Sequence, residues 1–158
     1  MAQKVALKLI YNKGVIMKAV KYLTIAITFL ISLSLYAQAD QDGVEAVVTN
    51  YVKSIDTNNG DALSKAVLPG GSIIIVNDLK KDVEHYSTDQ YVNMVKNGQS
   101  GGWTRNLSIS SVDVEGNTAV AKVNITDPRL KQTGFITLLK DNGAWKVAGQ
   151  VTTLQLNK

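Results

Sequence analysis

Apolar residues recur with a helical period in the first half of the chain and with a strand period in the last third. Val44, Val47, Val48, Tyr51 and Ile55 stand at i, i+3, i+4, i+7 and i+11, which puts them on one face of a helix. Glu45, Thr49, Asn50, Lys53 and Asp56 take the opposite face. Asp42, with Glu45 three residues later, predicts the start of this helix, and Asn58-Asn59-Gly60 its end. Asp61 then opens a short second helix, Ala62 to Val67, stopped by Pro69-Gly70-Gly71. The β-branched run Ile73–Val76 predicts a strand buried on both faces, and Val83–Tyr86 a weaker extended piece. Ser87 with Gln90 caps a third helix that turns Tyr91, Val92 and Val95 inward and closes at Asn97-Gly98.

From Trp103 to Leu156 the pattern is a long antiparallel meander. Leu107 and Ile109 alternate, then the phase slips to Val112 and Val114, a sign of a bulge. After the Glu115-Gly116-Asn117 turn, Ala119, Ala121, Val123 and Ile125 alternate inward. Asp127-Pro128 breaks that strand, and 129–133 read as a returning loop. Phe135–Lys140 and Trp145–Leu156 form a hairpin across Asp141-Asn142-Gly143, whose Asn-Gly suits a primed turn. Gly149 in mid-strand, and a phase shift placed after Val151, predict a bend. Asn106 and Asn124 head glycosylation-type triplets, but both fall in predicted strands.

Charge changes the picture only once it is placed along the chain. The 17 basic and 13 acidic residues suggest a cationic protein, yet five lysines precede Asp40 and no acid does. From Asp40 onward 12 basic residues face 13 acidic ones, so the mature charge is about −1 and no nucleic-acid partner is expected. Met17-Lys18-Ala19-Val20-Lys21, the apolar stretch Leu23–Leu35 and Ala37-Gln38-Ala39 read as a secretory signal with Met17 as the start. Residues 1–39 are therefore an extension plus signal peptide, and 40–158 a single exported domain, periplasmic or secreted. The apolar stretch falls short of the roughly 20 residues of a membrane span, so no stable span is expected after cleavage. With no cysteine, disulfides, thiol catalysis and thiolate metal sites are excluded.

Three segments carry a family resemblance. They are Glu45–Val52 with Asn59-Gly60-Asp61-Ala62-Leu63; Val112–Val123; and Leu138–Val147 around the Asp141-Asn142-Gly143 turn. Together they resemble the NTF2-like (cystatin-like) α+β cone, a curved antiparallel sheet covered by three helices from the N-terminal half. More narrowly they resemble its exported branch, called putative lumazine-binding or SnoaL-like. Where that family commonly has His-Pro after the second helix, this chain has Leu68-Pro69.

The resemblance implies a pocket between sheet and helices, and the candidate ligand-binding residues are Tyr51, Asp78, Tyr91, Trp103, Arg105 and Phe135. Trp103 and Arg105 together suit a flat anionic molecule. Tyr51 matches the oxyanion-donating tyrosine of ketosteroid isomerase, and Asp78, just past the buried strand, is a candidate base, but Ile136-Thr137-Leu138 supplies no second acid. His85 is the single histidine, among charged neighbours, and no metal or other cofactor is implied. The leading expectation is non-catalytic binding of a small apolar or aromatic molecule. The alternatives are an isomerase-like enzyme, and an interaction module forming a homodimer through a sheet face marked by Thr118, Val120, Lys122, Thr152 and Thr153.

Overall fold

The computed structural model describes residue 38 and residues 40–157. The expected signal segment lies outside the described residues, apart from residue 38. The chain divides after Ala39, and Asp40–Lys158 forms one compact unit.

Helix α1, described through residues 40–56, is already helical two residues before Asp42, where the capping pattern had placed its start. It buries Val44, Val48, Tyr51, Val52 and Ile55. Asn58 at φ +53° turns the chain. Helix α2 is Gly60–Ala66, and its cap is Asn59 rather than Asp61, because the Asn59 carboxamide oxygen accepts the Ala62 N–H at 2.9 Å. Helix α3 is Thr88–Lys96, with the Ser87/Gln90 capping box formed in both directions and Tyr91, Val92 and Val95 buried.

The six strands are β1 (Val67–Asn77), β2 (Asp82–Ser87), β3 (Asn106–Glu115), β4 (Thr118–Thr126), β5 (Leu130–Asp141) and β6 (Ala144–Leu156). They form one open, curved sheet in the order β2-β1-β6-β5-β4-β3. The sheet is mixed, not wholly antiparallel: β1 pairs parallel with β6. Pro69-Gly70-Gly71 does not end a helix but lies inside β1, where the register with β6 shifts between Val67 and Ser72. A side chain at residue 71 would strike the Ala148 carbonyl at 2.3 Å, so only glycine lets the two backbones meet. Buried Thr88 secures the bulge, donating to the Leu68 carbonyl and accepting the Gly71 N–H.

Bulges and parity place the side chains. The slip between Ile109 and Ser111 in β3 occurs as the pattern predicts. In β6 the shift falls between Val147 and Gly149, earlier than the sequence pattern placed it, so Gln150 and Thr152 turn inward and Val151 outward. Thr152 is therefore buried and does not mark the outer face, whereas Thr118 and Lys122 are exposed there. Asn142 (φ +48°) and Gly143 (φ +82°) make the primed hairpin turn.

Candidate functional site

Inward parity sets one cross-strand row at the end of the sheet's helix-covered face: Ile125 on β4, Gln132 on β5, Leu154 on β6 and Asn77 on β1. Residues 130–133, expected as loop, are part of β5, which is what carries Gln132 into this row. Helix α3 and the connection 97–105 close over it, leaving a cavity of about 440 Å³. Its walls are aliphatic from Ile75, Ile125, Leu130 and Leu154 on the sheet, and aromatic from Tyr86 on β2, Tyr91 on α3 and Trp103 in the connection before β3. Tyr86 and Tyr91 lie with ring centroids 5.9 Å apart. This is the kind of concave, largely apolar hollow with a few fixed polar groups that takes small molecules.

The polar groups behind and beneath it form one chain. Arg105 Nε and Nη2 each reach Asp56 Oδ1 at 2.6 Å, and Nη1 donates to Gln132 Oε1 at 3.3 Å. Gln132 Nε2 and Gln150 Nε2 both donate to Thr152 Oγ1, at 2.8 and 3.0 Å. Tyr51 closes the chain, its hydroxyl donating to Gln150 Oε1 at 2.9 Å. The guanidinium also sits 4.5 Å over the Trp103 ring. Burial raises Asp56 above its ordinary carboxylate value despite the Arg105 hydrogen bond. Burial likewise raises the Tyr51 and Tyr91 phenols, which stay neutral.

Of the six residues singled out in the sequence, Tyr91, Trp103 and Arg105 line this cavity. Trp103 and Arg105 do so from the connection before β3, not from within a strand. The other three do not. Tyr51 is fully buried behind the wall, its hydroxyl committed to Gln150. Asp78 follows inward-facing Asn77 and so turns out to solvent, with only its backbone N–H held, by the Leu154 carbonyl. Phe135 lies between inward Gly134 and Ile136 and is 49% exposed on the outer face.

Sequence reasoning missed two carboxylates that line the cavity, Glu84 and Asp127, and Glu84 is the more heavily bonded. Asn77 Nδ2 donates to its Oε1 at 3.0 Å, Lys80 Nζ at 2.9 Å, and the Tyr86 hydroxyl donates to Oε2 at 3.3 Å. The Lys80 hydrogen bond leads in holding Glu84 below its usual value. Its signal was only the alternation of β2, too short to fix a face. Gln132 and Gln150 were missed because a polar residue at an inward position is visible only once the register is known. Among the described residues no three metal-ligating side chains converge.

A family described as putative lumazine-binding matches residues 39–151. The chain belongs to that family. No curated protein matches this lumazine-binding-family chain. Solved structures similar to it include an NTF2-like protein of unknown function from Silicibacter pomeroyi, with 19% identity, 77% of this chain and 98% of that one covered, and TM-score 0.63. Another, from Shewanella baltica, is 19% identical over 78% and 97% of the two chains, with TM-score 0.60. A third, from Novosphingobium aromaticivorans and described as having a cystatin-like fold, is 15% identical over 78% and 87%, with TM-score 0.59. At these identities the likeness shows the NTF2-like fold alone.

Proposed function

We propose that this is an exported domain that holds a small, flat apolar or aromatic molecule in the 440 Å³ cavity without transforming it. The carrying observation is the pairing of aliphatic and aromatic walls with a polar floor whose hydrogen bonds are already made within the protein. The family's description, putative lumazine-binding, supports the same ligand class, since lumazine is a flat bicyclic heteroaromatic. The state of the carboxylates supports binding over isomerase-like proton abstraction. Asp78 is exposed, and Glu84 is kept anionic by three donors, which makes it a poor base.

Native mass spectrometry of the full chain, expressed with its own leader and titrated with lumazine, tests this. A bound mass lost on denaturation is expected, and lost also in Leu154→Trp, which fills the cavity. A complex that survives Leu154→Trp, or none at all in the unaltered protein, sinks the reading. Export rests on the Met17–Ala39 pattern, and the exported protein should begin at Asp40 on N-terminal sequencing. A product still starting at Met1 or Met17 would end that half of the proposal.

A second reading, homodimerisation through the outer sheet face, draws on one observation. Phe135 and Val151 are cross-strand partners and both about half exposed, with Leu139 and Val83 exposed on the same face. Sedimentation across a wide concentration range should show a dimer that Phe135→Glu disperses; a monomer throughout rejects it.

A further inference from the structure

Five charged residues line the cavity: Lys80, Glu84, Arg105, Asp127 and Arg129. Four of them are satisfied by the protein. Lys80 pairs with Glu84, whose two oxygens take three donors. Arg105 spends Nε and Nη2 on Asp56 and Nη1 on Gln132. Asp127 Oδ1 accepts the backbone N–H groups of Arg129 and Leu130, both at 2.7 Å, and so caps its own turn. Arg129 differs. Its side chain is exposed and forms no ion pair among the described residues; only its backbone is engaged, the N–H with Asp127 and the carbonyl with the Asn157 N–H. The guanidinium, with five donors in a planar fork, stands at the edge of an apolar hollow with no hydrogen bond or ion pair among the described residues, only the through-space attraction of the Asp127 carboxylate.

We infer that the molecule held in this cavity carries a carboxylate, which Arg129 takes at the rim while the apolar or aromatic body fills the interior. This rests on the reading of the cavity as a binding site and adds to it the chemical class of the occupant: an amphipathic organic acid, preferred over a neutral molecule of the same shape. The division of labour follows from the polar groups. Arg105 would have to give up Asp56 to bind an anion and leave a half-buried carboxylate unpaired, whereas Arg129 gives up only water. Glu84 lies on the opposite strand edge, bound to Lys80, so an anion is directed to the β4–β5 turn.

Titration calorimetry of the full chain with 2-naphthoate and with its neutral isostere 2-naphthamide tests the assignment. The acid should bind about fivefold more tightly than the amide, as a solvent-exposed charge pair allows, and high salt should shrink that margin. Arg129→Gln should abolish the margin while leaving the amide's affinity unchanged, and Arg129→Lys should restore part of it. The Asp127 cap uses only the backbone of residue 129, so these variants keep the turn. Equal binding of acid and amide, or a margin that persists in Arg129→Gln, overturns the carboxylate assignment and leaves the cavity reading standing. Binding of neither probe overturns both.

Discussion

The chain from Asp56 through Arg105, Gln132, Thr152 and Gln150 to Tyr51 shows how single residues define the site. A buried donor left without an acceptor, or the reverse, costs about 1–3 kcal/mol. Tyr51→Phe strands Gln150 Oε1 and should destabilise the domain by about that amount in urea unfolding. A second substitution, Gln150→Leu, should recover part of the loss, because both partners are then apolar. Fully additive losses would count against a coupled chain. Asp56 and Glu84 should respond to pH in opposite senses. Folding raises the proton affinity of Asp56, so its contribution is greatest when it is protonated and falls as pH rises through its folded value. Folding lowers that of Glu84, so its contribution is present above the ordinary glutamate value and lost as pH falls through its folded value. Between about pH 7 and about pH 3, Asp56→Asn should therefore steepen the loss of stability and Glu84→Gln flatten it. Matching slopes in the two variants would refute this assignment of signs.

At the scale of elements, glycines and bulges decide which face each residue takes. Gly143 sits in the β5–β6 turn at φ +82° with nothing near a would-be side chain, so Gly143→Ala pays only for backbone conformation, about 1 kcal/mol. Gly134 is different: an added Cβ would lie 2.2 Å from the Val151 carbonyl, in a central strand that cannot move away. Gly134→Ala should cost about 2–3 kcal/mol, and thermal melts that rank the two substitutions the other way would be inconsistent with this packing. The same strands show where sequence was legible. Alternation in β4 was long and unbroken, and Ala119, Ala121, Val123 and Ile125 are all buried. Alternation in β6 crosses a bulge, so an error of one residue moved Thr152 to the wrong face. In β5, Gly134 has no side chain to mark its face, and Phe135 was read as inward.

At the scale of the molecule, β6 holds the two halves together. It is hydrogen-bonded to β1 on one side and β5 on the other, so within the sheet β1–β2 reach the other strands only through it. A chain ending before Ala144 should lose the fold as a unit, seen as loss of cooperative unfolding by circular dichroism; an intact cooperative transition would contradict the central role of β6.

What the sequence determined by itself was local: three helices with their periods, the capping box at Ser87, the primed turn at Asn142-Gly143 and the alternation that makes the last third a sheet. These depend on neighbours within a few residues, which the sequence displays directly. The segments resembling the NTF2-like cone carried the α+β architecture as well, because cap, turn and core residues specify a fold. The site was decided by tertiary structure. The parallel β1–β6 pairing, the bulge at Gly71 and the inward turn of Gln132, Gln150 and Thr152 arise from register between strands distant in sequence. The cavity and its unpaired Arg129 exist only because five strands, α3 and the 97–105 connection meet there, a convergence no local pattern encodes.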